Sequence, residues 1–342
     1  MITVTAAIIE KDGLILAAKR REGLHLAGYW EFPGGKLEDG EHPEECLQRE
    51  LKEELGIEST INDYLGESVY HYNSKSIRLL GYLTTHTGGD FTLKDHDEIR
   101  WLPPGELKRL TWAPADISLI DSLLDKTITE QTLSYYENSA EAYVKETIEL
   151  DIEGIRNKFS SQLPPKAHIL DLGCGSGRDS RAFLERGFQV TAIDASVSVA
   201  AITSKFLHHD VHIRKAQEIT ELNHYDAIWA CASLLHVPKS TMPPVITSLI
   251  NALTAGGLLY MSFKQGTKER WDERGRFFND YSPEKITELI EQNSNIQRFE
   301  LSTTSSILRG HKQTWLNIFL TKKNTRWTSQ NNTSIPVAMT TF

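Results

Sequence analysis

The hydrophobic pattern begins as short strands and turns, then shifts to a helical period. Thr3 to Glu10 reads as a strand running into Asp12-Gly13, a dipeptide suited to a two-residue hairpin, and Leu14 to Ala18 reads as the returning strand. The opening segment, MITVTAAIIEKDG, has no basic stretch ahead of a long apolar run, so it is expected to be an edge strand and not a leader. Cys46, Leu47, Leu51 and Leu55 recur with a helical period and predict a helix from Pro43 to Leu55. Tyr64 to His71, Ile77 to Thr85 and Ile99 to Leu102 are strand-like, and Ala115 to Leu124 is helical in pattern. These elements suffice for a compact mixed α/β domain over residues 1–126.

A polar, helix-compatible joint follows, Glu130 to Ser161 within residues 127–163, and ends at Pro164-Pro165. Short apolar runs then alternate with helical stretches. His168 to Leu172, Gln189 to Ile193, Tyr225 to Ala230, Gly257 to Phe263 and Thr314 to Leu320 are strand candidates. Arg178 to Arg186, Met242 to Leu253 and Pro283 to Glu291 are helix candidates. Such alternation predicts a second α/β domain over residues 164–322, with a parallel-rich sheet covered on both faces. Residues 323–342 are polar, lack a period, and are expected to form a loose tail.

Composition adds exclusions. A chain of 342 residues has room for two cores, and its net charge of -9 argues against a surface that coats nucleic acid. Cys46, Cys174 and Cys231 form no CxxC pair, which gives no sign of a thiolate zinc site and suits a reducing compartment. No run is long and apolar enough to span a bilayer, so no membrane partner is expected and the cytoplasm is the expected location.

The first candidate chemistry lies on the Pro43–Leu55 helix. Glu50, Glu53 and Glu54 stand at i, i+3 and i+4 and share one face, with Glu41 a turn earlier and Arg49 spaced to steady Glu53. Like charges crowded in this way suit a hard cation such as Mg²⁺ that also bridges phosphate oxygens. The paired glycines of Glu31-Phe32-Pro33-Gly34-Gly35-Lys36 permit close backbone approach ahead of the helix. GKLEDGEHPEECLQRELKEELGI, from Gly35 to Ile57, resembles the Nudix box at every defined position. The resemblance covers residues 1–126 and is closest to the MutT-like branch, whose members cleave nucleoside triphosphates to monophosphate and pyrophosphate.

That resemblance implies a mixed sheet with a catalytic helix, and Mg²⁺, or alternatively Mn²⁺, held by Glu50, Glu53 and Glu54. Glu98, in the later segment HDEIRW, matches the acid that often completes the site; Glu53, Glu54 and Glu98 share the catalytic candidacy. Lys19, Arg20, Arg21 and Lys36 are phosphate-binding candidates, though a basic hairpin end facing solvent would look the same. Leu110 to Ile117 resembles the base-meeting segment of MutT-like and cytidine-triphosphate-cleaving relatives. Asp116 there is either a base-recognition residue or a cap on the helix that follows.

The second candidate site is the run Ile169-Leu170-Asp171-Leu172-Gly173-Cys174-Gly175-Ser176-Gly177-Arg178-Asp179. A strand passing through a glycine loop into a helix presents backbone N–H groups to a ligand. Asp171 would repel a pyrophosphate but suits a cationic ligand, and Asp194 ends the next strand where a ribose-binding acid belongs. With Tyr135-Tyr136-Glu137-Asn138-Ser139, the run from Trp229 to Val237, and Ser262-Phe263-Lys264, the chain resembles a class I S-adenosylmethionine-dependent methyltransferase over residues 133–322. This implies a Rossmann-like domain with a seven-stranded, mostly parallel sheet. It assigns Asp171, Gly173, Gly175, Gly177 and Asp194 to S-adenosylmethionine, with Gln217 near the adenine; Tyr135 and Tyr136 are either a lid over the cofactor or packing for the linker helix.

His236, Lys264 and Arg276 are candidates for the methyl-acceptor pocket, while Trp229 and Cys231 are expected in the core or the cofactor wall and not as reactive groups. The expected protein is therefore bifunctional, acting on a nucleoside triphosphate in front and a small-molecule methyl acceptor behind. The alternatives are hydrolysis of another nucleoside diphosphate derivative such as ADP-ribose beside a cofactor-sensing module, and methylation of nucleic acid. The interspersed acids of FKQGTKERWDERGRFFNDYS weigh against a nucleic-acid partner.

Overall fold

The computed structural model describes residues 1–73, 75–308 and 311–324. The expected tail, residues 323–342, lies outside the described residues beyond Asn324. The chain divides into two compact units, Met1–Glu130 and Gln131–Phe342.

The first unit begins with β1 (Ile2–Lys11) and β2 (Leu14–Arg20), joined by Asp12 and Gly13, both at positive φ as a tight hairpin of this kind requires. It continues through β3 (Trp30–Glu31), α1 (Pro43–Leu55), β4 (Glu58–His71), β5 (Ser76–Gly88), β6 (His96–Leu102) and the start of α2 (Ile117–Thr147). The sheet runs β3-β2-β1-β5-β4, with β6 also on β2, and β1 and β5 are its parallel pair. β1 is therefore an inner strand and not the edge expected from its position in the chain. Its residues show why: Ala6 and Ile8 face a core with Trp30, Phe32, Trp112 and Leu119, while Ala7 and Ile9 face a second core with Leu47, Leu51 and Leu55 of α1. A strand without a polar face must be covered on both sides.

The helix read from Ala115 to Leu124 starts at Ile117 and runs on to Thr147, with Ser139 out of helical conformation (φ -124°, ψ 15°). In the second unit it is followed by α3 (Glu153–Ser160), β7 (His168–Leu172), α4 (Arg178–Glu185), β8 (Gln189–Asp194), α5 (Val197–Leu207), β9 (Val211–Ile213) and β10 (Tyr225–Ala230). Then come α6 (Met242–Ala252), β11 (Leu253–Lys264), β12 (Glu269–Trp271), β13 (Phe277–Asn279), α7 (Pro283–Glu291), β14 (Ile296–Leu308) and β15 (His311–Lys322).

The seven-stranded sheet has the order β14-β15-β11-β10-β7-β8-β9, parallel from β11 to β9 and antiparallel at β15 and β14. One face packs on α6 and α7 through Ile246, Leu249, Ile286 and Ile290, and the other on α3 and α4 through Phe159 and Phe183. The chain enters at β7, builds β8 and β9 outward, and returns to place β10 on the other side of β7. The switch point thus lies between the carboxyl ends of β7 and β10, where sheets of this kind bind ligands. Among the described residues no helix is long and apolar enough to cross a membrane.

Candidate functional site

In the first unit, α1 starts with Pro43 behind His42, has Glu44 and Glu45 in its first turn, and ends at Gly56 in the left-handed region. Cys46, Leu47, Leu51 and Leu55 are buried, which fixes the helix rotation and leaves the acidic face clear of the core. The two glycines before it are steric necessities. A Cβ on Gly34 would lie 2.1 Å from the Thr5 carbonyl oxygen, and one on Gly35 would lie 2.0 Å from Cδ of Glu50. Gly35 therefore lets the Glu50 carboxylate rest on bare backbone.

Arg49 forks onto Glu41 through Nε (2.8 Å) and Nη2 (3.0 Å) and donates from Nη1 to Glu50 (2.8 Å). The expected Arg49–Glu53 pairing gives way to this arrangement, because the loop brings Glu41 close enough for a two-pronged contact. Glu53 is exposed. Glu54 differs sharply from it. Its Oε2 is buried without a hydrogen-bond partner, and burial, reinforced by Glu31, Asp95 and Glu50, pushes its carboxyl up to about 8.

Glu31 gathers its own partners. It accepts from Arg20 Nη1 at 2.6 and 2.5 Å, and its Oε1 lies 3.0 Å from Nε2 of buried His96. Neither Glu31 nor His96 was singled out from sequence; the available signal for Glu31 was its place just ahead of the paired glycines. Arg20 also donates to the His25 carbonyl (2.6 Å), Arg21 lies 3.5 Å from Asp97, Lys36 is exposed and Lys19 is half-buried.

Glu98 pairs with Arg100 at 2.6 Å. Its neighbours Ile99 and Trp101 pack on the α1 side of the sheet, so strand alternation turns Glu98 and Arg100 to the other face, where Arg100 lies 4.8 Å over Trp30. Glu98 is thus not brought to Glu50 and Glu54; strand phase, which its sequence context did not reveal, decides this. Among the described residues no three His, Cys, Asp or Glu side chains form a ready-made metal-holding group. Asp116 is buried and accepts from the Phe32 amide at 2.8 Å, and burial followed by Glu31 raises its carboxyl well above the usual range. That bond ties Asp116 to the residue after β3, with Phe32 and Trp112 in ring contact beside it (4.8 Å).

In the second unit, Gly173, Gly175 and Gly177 all lie at positive φ. Added Cβ atoms would meet Ser233 Cβ at 2.5 Å, the Tyr143 hydroxyl at 2.8 Å and Thr203 Cγ2 at 2.7 Å respectively. Each glycine of the loop is therefore fixed by close approach as well as by conformation. Asp194 Oδ2 accepts from the Gly175 amide (3.0 Å) and Oδ1 from the Ser196 amide (2.9 Å), tying β8 to the loop. Burial, opposed by those amides, raises Asp194 to about 6.

Asp171 is buried at the end of β7, accepts from Ser180 Oγ at 2.6 Å, and is pushed up to about 7 by burial and then by Asp179. Asp179, which sequence reasoning passed over, is held by Arg156, Arg178 and the Trp229 indole N–H. Trp229 is fully buried and stacked on Tyr260, so it belongs to the core; Cys231 is half-buried. Gln217 is exposed in a short 3₁₀ turn.

Tyr135, Tyr136 and Tyr143 pack edge to face in series. Glu137 pins this segment to the start of α5 by accepting from the amides of Val197 (2.6 Å) and Ser198 (3.0 Å). The Tyr136 hydroxyl meets His236 Nε2 at 2.7 Å, and His236 Nδ1 meets the Phe277 carbonyl at 2.6 Å. Nδ1 therefore carries the proton, Nε2 accepts from tyrosine, and burial keeps the ring neutral, down to about 4. Tyr143 reaches the glycine loop from 32 positions earlier, a proximity that no sequence signal conveyed.

Asp171 supplies a pH prediction. Its folded value of about 7 exceeds the ordinary value of about 3.9, so the folded state holds a proton that the unfolded state has lost between those limits. Its contribution is present below pH about 4 and is lost as the pH rises to about 7, on the order of 4 kcal/mol. Urea unfolding at both ends of this window should show Asp171→Asn losing much less stability with rising pH than the wild type; parallel losses would contradict the assignment.

Known proteins match the two units separately. The NUDIX domain family matches residues 1–123, and the family described as methyltransferase domain matches residues 169–257. The CTP pyrophosphohydrolase of Escherichia coli (strain K12) is 40% identical over 124 residues, 36% of this chain and 92% of that protein. The 8-oxo-dGTP diphosphatase of Haemophilus influenzae is 35% identical over 128 residues, 37% of this chain and 94% of that protein. The crystal structure of a Burkholderia thailandensis 1,6-didemethyltoxoflavin-N1-methyltransferase is 17% identical and covers 58% of this chain and 90% of that one, with a TM-score of 0.48. Through residues 1–123 the chain belongs to the Nudix family, as a MutT-like domain fused to a methyltransferase domain.

Proposed function

We propose that the first unit hydrolyses nucleoside triphosphates to monophosphate and pyrophosphate with Mg²⁺, and that the second transfers a methyl group from S-adenosylmethionine to a small molecule. The observation that carries the first reading is the orphaned, buried Oε2 of Glu54 beside Glu50 and Glu31. An unpartnered carboxylate oxygen in such company fits a divalent cation. Glu50 and Glu54 would hold the ion, with Glu53 as co-ligand or base. When bound, Mg²⁺ neutralises the phosphate chain and lowers the proton affinity of water. The chain's own residues do the rest. Gly35 seats Glu50, Arg49 and Glu41 steady it, and Arg20, fixed by Glu31, contacts a phosphate oxygen together with Arg21 or Lys36; Lys19, paired across the strands with Glu98, shares that residue's face and drops out of the set. Glu98, held in β6 on the other face of the sheet, is left out of this metal and base set.

The names of the two curated relatives suggest cytidine and oxidised guanine triphosphates as substrates, with Asp116 beside the base. Turnover should be compared at equal concentration for CTP and 8-oxo-dGTP, followed as pyrophosphate release, and for ADP-ribose, followed as release of AMP. A triphosphate turned over at least tenfold faster than ADP-ribose is expected; the reverse order would overturn the choice of substrate class.

For the second unit, the three glycines and Asp194 frame a cofactor site at the switch point, with Asp171 facing the cationic methionine part. The family match over residues 169–257 supports this reading. The three unpaired cysteines support a reducing compartment such as the cytoplasm.

A further inference from the structure

The segment after β11 folds back as the β12–β13 hairpin and crowds three cations around one ring. Lys264 Nζ lies 3.6 Å from the centre of Phe278, and the guanidinium carbons of Arg270 and Arg276 each lie 5.1 Å from it. Two of these charges are answered: Arg270 pairs with Asp280 and Arg276 with Asp272, both at 2.7 Å. Lys264 has no carboxylate within 4.0 Å among the described residues. Three cations against two carboxylates leave one positive charge, and it rests on a half-buried ammonium. Burial, followed by Arg270 and Arg276, lowers Lys264 to about 8, as expected for a cation without a counter-ion.

The position of this charge gives it meaning. Lys264 ends β11, which runs parallel to β10, so it stands at the same carboxyl edge of the sheet as Asp171 and Asp194. The hairpin is fastened to the loop after β10 by His236 on Phe277, and Arg276 lies 4.8 Å over Tyr135. An unanswered cation over the Phe278 ring at the ligand-binding edge selects an oxyanion joined to an apolar body.

We propose that the methyl acceptor of the second unit is a small anion, bound through a carboxylate or phosphate oxygen by Lys264. This rests on the methyltransferase reading above. The test is calorimetry on the full chain near pH 7, saturated with S-adenosylhomocysteine, with benzoate, phenyl phosphate and the neutral benzamide as probes. At least one anion should bind ten times more tightly than benzamide, and the better of the two tells carboxylate from phosphate. Lys264→Met should weaken that anion tenfold or more with unchanged S-adenosylhomocysteine affinity, and Lys264→Arg should restore most of it. Equal affinity for benzoate, phenyl phosphate and benzamide in the unaltered protein would overturn the inference whether or not the variants fold. So would an unchanged anion affinity in folded Lys264→Met. Absence of S-adenosylhomocysteine binding would overturn the cofactor reading and this inference with it, whereas cofactor binding with no anion preference would overturn the inference alone.

Discussion

Glu54→Gln is expected to lower nucleoside triphosphate hydrolysis at least about a hundredfold while the protein stays folded. The expectation follows from the position of the side chain. Glu54 keeps one oxygen buried without a partner, near Glu50 and Glu31, at a cost to the empty protein. A neutral amide of the same shape removes that charge, so the metal-free variant should be at least as stable near pH 8 as the wild type. It also removes the oxygen that a cation would use. Loss of turnover without loss of the folded state separates a working carboxylate from a structural one. Turnover within a few fold of wild type in folded Glu54→Gln would contradict the role.

The second large effect is expected at Asp194. Its two oxygens accept from the Gly175 and Ser196 amides, so alanine removes the acid proposed to bind the ribose and releases the glycine loop together. Hydrogen bonds to a charged group contribute about 1.5–3 kcal/mol each. Asp194→Ala should therefore weaken S-adenosylmethionine binding at least about a hundredfold by calorimetry. Asp194→Asn, which keeps an acceptor, should fall between the two. Unchanged affinity in the alanine variant would show that the cofactor does not use this acid.

Much of this was legible in the residues. The helical period of Pro43–Leu55, the short apolar runs His168–Leu172 and Tyr225–Ala230, and the helix candidate Pro283–Glu291 have the bounds the structure shows. Dense local motifs marked α1 and the glycine loop, because chemistry there needs fixed residue types at fixed spacing. Other features depend on what the chain meets in space. Short β9 and the β12–β13 hairpin carry too few residues for a period, and polar β14 buries little of its own side chains. β1 was misread as an edge strand because its two-sided burial depends on β5, more than sixty residues later. Glu98 shows a subtler limit, since a shift of one position along β6 decides which face it takes. Glu31 and His96 entered the site picture only once the fold brought them beside Arg20 and Glu54.

The most direct test of the central claim is phosphorus NMR of CTP and 8-oxo-dGTP incubated with the full chain and Mg²⁺. The account predicts nucleoside monophosphate and pyrophosphate appearing in equal amounts, and both at least about a hundredfold more slowly with Glu54→Gln. Release of orthophosphate with nucleoside diphosphate, or equal rates for the wild type and the folded variant, would contradict it.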